Sequence, residues 1–528
     1  MTTKGVQTNS QVRPKKIQNN GKTSSPGARI WNKLHPGLMT EEEVMTEKPC
    51  VDFRGKRSYK LNDKIQLTIV AYDHYGNPKT EGGDLFLATI ETESKNASAP
   101  GVVTDLLDGK YRVEMDALWT GKAVIRVTMA YTKQNIVFYL RSLIQHLPWE
   151  YTVATYVNKH NVTENSFCHP NHSMLYYDDI CRKENDVRSS VCNDEGLTPE
   201  RRQICNFTLD NSGSPFYCLT PLKAELGCKD WRLISRGNHS VVSKRTKCQL
   251  MSINRGLNQA IGTKIEVDIS PESDRYNSSM VELPSIPCSK YNRTALWLRR
   301  EPTGFFYNAS WHLRHCKAQR DLINCMRNKN FYLIGDSTTR QWYASILQRY
   351  QCVQITEKWT NEKWYNRSTC LNKKYNFTVT FGIHNLPASV PPLAEKEVFL
   401  NSIGGYMDDV TDDENAVIVF HMFAHLNVYN PDVFRHQMKL IRTSVEKLLK
   451  RNKKVKIMFK APHVYAKQGA LIGYHFERIA YDIFYDLFDK IIYLNNRDSS
   501  IVTKPDNVHP DKNIVFAMRD QALAYACD

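Results

Sequence analysis

Apolar residues are spaced in four different ways along the chain, and each change of spacing marks a change in the structure to be expected. Residues 1–45 have almost no apolar periodicity and are rich in Thr, Ser, Asn, Gly and Lys, which predicts a disordered tail. Over residues 50–145 the apolar positions fall in short β-prone runs that include Leu67, Ile69, Leu85, Leu87, Val113, Val124, Ile125 and Val127. The clusters Tyr75-Gly76-Asn77-Pro78, Glu81-Gly82-Gly83-Asp84 and Asp108-Gly109 interrupt these runs with turn residues, so the stretch predicts an antiparallel sandwich. Residues 150–300 lose this pattern and carry cysteines instead, with a ladder at Cys181, Cys192, Cys205, Cys218 and Cys228. They predict a loop-rich module stapled by disulfides.

The last stretch, 301–528, alternates strand and helix from Phe331 onward. Phe331 to Gly335 is a short apolar strand, and Thr338 to Tyr350 is helix-prone. Ala416 to Phe420 is a second strand. Asp432 to Lys450 follows as a helix, because Phe434, Met438, Ile441, Val445 and Leu448 or Leu449 recur every three to four residues. Val455 to Phe459, a helix near Tyr474–Phe488, and Ile491 to Leu494 complete the series. Such alternation predicts an α/β fold with a mostly parallel sheet covered by helices on both faces.

Composition narrows the picture. A chain of 528 residues, 41% hydrophobic, is too long for one ordinary core and is expected to form two or three domains. No run of 18 apolar residues occurs that would span a bilayer. None of the 14 cysteines forms a C-x-x-C pair, so no metal site is expected. N-x-S/T sequons stand at Asn96, Asn161, Asn171, Asn206, Asn238, Asn277, Asn292, Asn308, Asn366 and Asn376. Together with the cysteines they place the protein in the secretory pathway, secreted or in the Golgi lumen. The first forty residues hold seven Lys or Arg and no acid, but no apolar run, so the chain is expected to lack its targeting segment. The competing reading is a cytosolic protein with reduced cysteines. The net charge of +16 permits acidic glycan partners, while the absence of any nucleic-acid motif argues against that class.

The chemistry is concentrated near the two ends of the α/β stretch. Gly335-Asp336-Ser337-Thr338 stands where the first strand turns into a helix, which is where reactive residues collect in open α/β sheets. Ser337 is the candidate nucleophile, with its own N–H available to a developing oxyanion. A serine hydroxyl needs a base, and the base needs a carboxylate to orient it. Pro505-Asp506-Asn507-Val508-His509-Pro510 supplies both in a D-x-x-H turn, with His509 as base and Asp506 behind it. Asp336 is expected to serve the turn, Asp511 to cap the last helix, and His384 and His463 to be satisfied structural histidines.

The G-D-S-T-T-R-Q-W segment from Gly335 to Trp342, with Asp506 to Pro510, resembles the PC-esterase branch of the SGNH hydrolases and acyltransferases. Asp108 to Val113, followed by Trp119 to Val127, resembles a strand pair of a filamin-type immunoglobulin-like domain, and the cysteine-rich region resembles neurexophilin. Chains that join these parts form the neurexophilin and PC-esterase domain family, which this chain resembles over about residues 50–528. The resemblance implies a glycan O-acetyltransferase using a serine acyl-enzyme with acetyl-CoA as donor and a glycan or glycoprotein as acceptor. It leaves two alternatives: an esterase that removes O-acetyl groups, or a secreted ligand of a cell-surface receptor with an inactive enzyme domain. It also implies further oxyanion donors, a Gly from a second block and an Asn from a third. The candidates here are Gly404 or Gly405, and His425 or Asn427 in His421-Met422-Phe423-Ala424-His425-Leu426-Asn427.

Overall fold

A computed structural model describes residues 51–54, 56–73, 75–145, 152–176, 203–237, 264–272, 279–356, 364–465, 469–503, 505 and 507–527. The expected tail at 1–45, together with Cys50, Cys181, Cys192, Cys248 and Asp506, lies outside the described residues.

Two sheets enclose the first core. A four-stranded antiparallel sheet runs in the order Val51–Arg54, Lys64–Ala71, Lys110–Asp116 and Val102–Asp105. A seven-stranded sheet is built around Leu85–Thr92 and Gly121–Tyr131. Between them lie Ile65, Leu67, Ile69, Tyr111, Val113, Trp119, Ile125 and Val127, all buried. Their alternation with polar residues is the period of two expected of strands that bury one face. The strand pair singled out in the sequence is therefore divided, one strand in each sheet. The seven-stranded sheet also recruits distant chain: Ile265–Ser270 pairs with Gly121–Tyr131, and Gly304–Tyr307 pairs with Ser310–Leu313 at the other edge. This unit thus extends past residue 145, because later strands cover its open edges. Helix α1 (Lys133–Gln145) leaves it to insert Tyr139 and Leu143 into the core of the C-terminal region.

The cysteine-bearing stretch contains strands that its sequence did not announce. Ile204–Asn206, Tyr217–Leu219, Thr163–His169, Thr152–Val157 and Trp231–Arg236 form an antiparallel sheet, and Ala394–Glu395 adds a sixth strand. Disulfides Cys168–Cys218 and Cys205–Cys228 cross it. Three more, Cys288–Cys316, Cys325–Cys527 and Cys352–Cys370, lie toward the C-terminal region.

That region is a three-layer α/β unit. Its strands are β1 (Asn330–Gly335), β2 (Val353–Gln354), β3 (Ser368–Asn372), β4 (Phe377–Ile383), β5 (Ala416–Phe420), β6 (Lys456–Lys460) and β7 (Ile491–Leu494). They lie in the order β2-β3-β4-β1-β5-β6-β7. The five from β4 to β7 are parallel, and β2 and β3 are antiparallel additions at one edge. One face is covered by α2 (Ser337–Arg349) and α7 (Lys512–Ala526), which follows the short α6 (Arg497–Thr503), through Trp342, Tyr343, Ile346, Ile514 and Met518. The other is covered by α3 (Ile403–Asp408), α4 (Pro431–Arg451) and α5 (Gly469–Phe484), through Met407, Phe434, Met438, Ile441, Phe476 and Ile479. Burial on both faces explains why β5 reads as an unbroken apolar run. The chain leaves β1 toward β4, then crosses back over it to β5. That reversal opens a crevice at the carboxyl end of β1, where ligands bind in sheets of this kind.

Candidate functional site

The turn at the end of β1 is set by Gly335. A Cβ there would come within 2.5 Å of the His421 carbonyl oxygen and 2.8 Å of Thr339 Oγ1, so any larger residue would push β1 away from the chain leaving β5. Asp336 follows as N-cap of α2. Its Oδ1 accepts from the Thr338 N–H at 2.9 Å and the Thr338 hydroxyl at 2.7 Å, and its Oδ2 accepts from the Ala424 N–H at 3.1 Å. Ser337 is thereby fixed as the first helical residue. Its N–H has no partner among the described residues, as expected for the first turn of a helix.

His509 meets Ser337 from the opposite end of the domain. Its Nε2 lies 2.7 Å from Ser337 Oγ, although 172 residues separate them. The loop bearing His509 is held on both sides: His463 Nε2–H donates to the Val508 carbonyl at 2.8 Å, and the Gln341 amide donates to the Pro510 carbonyl at 3.1 Å. Partial covering of the His509 ring pushes its pKa below the ordinary 6.5. Asp336 pulls it up and Arg340 adds to the lowering. The ring is therefore neutral at pH 7, as a base must be. Arg340, one turn along α2, stacks 4.6 Å from the centroid of Trp364 and donates to its carbonyl at 3.3 Å.

Behind Ser337 lies a buried polar network that the sequence pattern did not single out. Lys460, the fully buried last residue of β6, donates from Nζ to Thr338 Oγ1 at 2.8 Å, and Thr338 donates onward to Asp336. Burial pushes Lys460 down to about 8, against the pull of Asp336. His421 donates from Nδ1 to the Lys460 carbonyl at 2.7 Å, and its Nε2 stands 3.3 Å from Asp336 Oδ2. Burial and the neighbouring Lys460 charge push the His421 pKa down, against the pull of Asp336. Burial alone would raise the Asp336 carboxyl, but His421 and Lys460 hold it well below the usual carboxylate range. The sequence did carry a signal: a lysine closing an otherwise buried apolar strand, Lys456-Ile457-Met458-Phe459-Lys460.

The other candidates divide. Gly405 is exposed, and its N–H donates to Ser402 Oγ as part of the α3 cap. Gly404 packs α3 against α4, where a Cβ would fall 2.4 Å from Ser444 Oγ. Neither glycine is joined to Ser337 by a contact among the described residues. The Asn427 amide donates to the Tyr465 hydroxyl at 2.6 Å, and the Asn427 carbonyl accepts from Tyr139 of α1 at 2.8 Å, so this residue ties α1 to the loop. His425 is adjacent to the site, but its tautomer is wrong for a donor. The Asn385 carbonyl takes the proton of His384 Nδ1 at 2.8 Å, leaving His384 Nε2 to accept from His425 Nδ1 at 2.9 Å. The Nε2 of His425 is then a bare lone pair. His384 and His463, expected to be structural, are buried and hydrogen-bonded, and both contact groups that form the site. Asp511 is the N-cap of α7 by position, without a side-chain capping bond. Of the sequon asparagines, Asn96, Asn161, Asn171, Asn206, Asn292, Asn308 and Asn376 are exposed and Asn366 is half-buried. Asn238 and Asn277 lie outside the described residues. Among the described residues no group of acidic, histidine or cysteine side chains is arranged to hold a metal.

No helix among the described residues is long and apolar enough to cross a membrane. Residues 311–527, which contain Ser337, Lys460 and His509, match the family model described as NXPE family member 4-like, C-terminal domain. Over that stretch the chain is similar to the NXPE family.

Proposed function

We propose that the C-terminal region is an SGNH-type acyltransferase that moves an acetyl group onto a glycan hydroxyl through an ester on Ser337. The observation that carries this reading is the 2.7 Å contact between Ser337 Oγ and His509 Nε2 at a helix N-terminus. Ser337 Oγ attacks the carbonyl of the acyl donor while His509 Nε2 takes the hydroxyl proton. The oxyanion is met by the Ser337 N–H and the field of α2. The leaving group, the thiol of coenzyme A if acetyl-CoA is the donor, departs with the proton from His509. An acceptor hydroxyl then gives its proton to His509, attacks the ester and releases Ser337. Asp506 is assigned the role of orienting His509 through the other ring nitrogen.

The same steps with water as acceptor give an esterase, so the triad alone does not choose. A family related to esterases and acyltransferases is consistent with both. The engagement of Gly405 and Asn427 elsewhere favours a second reading, an immunoglobulin-like and neurexophilin-like receptor ligand whose enzyme domain is idle. Disulfides and exposed sequon asparagines support a secretory location, with the glycan or glycoprotein acceptor in the same lumen. A fluorophosphonate probe decides between enzyme and ligand. Labelling of the full chain that is lost in Ser337→Ala and His509→Ala supports the enzyme, whereas no labelling of wild type favours the ligand.

A further inference from the structure

The His384–His425 pair has a fixed direction, and its last member follows Ala424, whose N–H binds the carboxylate next to Ser337 in the chain. A carbonyl oxygen can only accept, so the Asn385 carbonyl fixes the His384 proton on Nδ1 and leaves Nε2 bare. His425 must then donate from Nδ1, and its own Nε2 is bare in turn. Burial holds both rings neutral, at about 4 for His384 and about 3 for His425. The far end of the pair is clamped by the disulfide-bearing module. The Asn385 amide donates to the Asn211 carbonyl at 3.0 Å, and the Asn211 amide donates to the Leu386 carbonyl at 2.8 Å. The near end is placed by Ala424, whose N–H binds the carboxylate of Asp336, the residue preceding Ser337. His425 is close enough to His509 to feel its charge and keeps 7% of its surface exposed.

Resting on the acyl-enzyme reading above, we infer that Nε2 of His425 accepts a hydrogen bond from a second hydroxyl of the acyl acceptor, beside the one that attacks, so that the site selects vicinal diols. Once Ser337 is esterified, Nε2 of His509 has lost its serine partner. Two bare imidazole nitrogens, those of His509 and His425, then stand next to the ester and both require donors. A simple alcohol supplies one O–H and water supplies two from a single oxygen, whereas a diol supplies two from separate oxygens on adjacent carbons. The attacking oxygen forms its bond to the acyl carbon and gives its proton to His509. The C–Oγ bond breaks, and Ser337 recovers a proton from His509. The second hydroxyl keeps its proton and only donates it to His425. Sugars carrying free neighbouring hydroxyls are the acceptor class that this arrangement fits.

The test uses the full chain with p-nitrophenyl acetate as acyl donor and ethanol or 1,2-propanediol as competing acceptors at equal concentration. The p-nitrophenol burst reads acylation, and the product ratio reads acceptor choice. Wild type is expected to favour the diol about tenfold, the worth of one hydrogen bond. His425→Leu should keep the burst amplitude but lose the preference. His425→Gln, whose amide oxygen can reach the same place, should retain much of it. An unchanged preference in His425→Leu, or none in wild type, overturns the inference while leaving the acyl-enzyme intact. Loss of the burst in both His425 variants also overturns it, because the residue then serves acylation or folding. If wild type shows no burst, the Ser337 reading itself fails and the inference falls with it.

Discussion

Lys460 Nζ donates to Thr338 Oγ1 at 2.8 Å, from the fully buried end of β6 to the first turn of α2. Through Thr338 it supports Asp336, the anion that caps the helix carrying the nucleophile. Lys460→Met removes the buried cation that helps hold that carboxylate ionised. The expected cost is roughly 3–5 kcal/mol, as for other buried charges that lose a partner. Asp336→Asn should cost a similar amount, and the double variant distinctly less than both together, because each single change strands the other charge. Denaturant unfolding of the three variants checks this, and strict additivity would rule out the coupling.

On the proposed acyl-enzyme reading, the titration of His509 sets the acid limb of activity. Its pKa is lowered from 6.5, so the neutral base persists below that pH, and the rate of fluorophosphonate labelling should rise with pH to a midpoint under 6.5. Arg340 contributes to the lowering, so Arg340→Gln should move the midpoint upward. A midpoint that moves downward in this variant contradicts the assignment.

Stability should fall in acid for a related reason. His384 and His169 are pushed down to about 4, and His425, His463 and His315 to about 3, in each case chiefly by burial. Below 6.5 the unfolded chain takes up protons that the folded state refuses, so the stabilisation is complete above 6.5 and is lost as pH falls toward 4 and 3. Thermal unfolding between pH 7 and 4 should show a falling Tm. A flat profile would mean that these rings are not neutral and buried together.

His463 and Gln341 hold the loop that carries His509, the proposed base, through the Val508 and Pro510 carbonyls. His463→Phe removes the donor to the Val508 carbonyl and should cost about 1 kcal/mol by leaving a half-buried acceptor unpaired. Gln341→Leu does the same at Pro510 from a less buried position. A base displaced by about an ångström can cost ~10²-fold in rate. Labelling should therefore slow far more than stability falls, with the pH midpoint little changed. If labelling slows only in proportion to the unfolded fraction, the two residues are merely structural.

Much of this unit was readable in the sequence because its central strands are short, apolar and bounded by turns. β1, β5 and β7 and the stripe of α4 fall within a residue or two of the expected limits. α5 starts earlier than expected because Gly473 lies inside it, close to Pro462, rather than ending a turn. β3 and β4 were not read: Ser368-Thr369-Cys370-Leu371-Asn372 mixes polar with apolar residues, and although the two strands form a hairpin, β4 is placed in the sheet by β1, which is distant in sequence. Ile265–Ser270 escaped for the same reason, since its place is set by Gly121–Tyr131. The G-D-S turn and the D-x-x-H turn pointed to one another because each is a compact motif. The tautomers of His384 and His425 were not legible. They depend on two loops 41 residues apart meeting over the sheet and on the carbonyl that one of them finds.

The central claim is an acyl ester on Ser337, and the most direct measurement looks for it. The full chain is incubated with isotopically labelled acetyl-CoA, quenched in acid and mapped by peptide mass spectrometry, with and without a sialylated glycan acceptor. Label is expected on the Ser337 peptide and is discharged into glycan when the acceptor is present, with neither signal in Ser337→Ala. Label appearing in glycan to the same extent with Ser337→Ala, or wild type that acquires no label from acetyl-CoA or from p-nitrophenyl acetate, would contradict it.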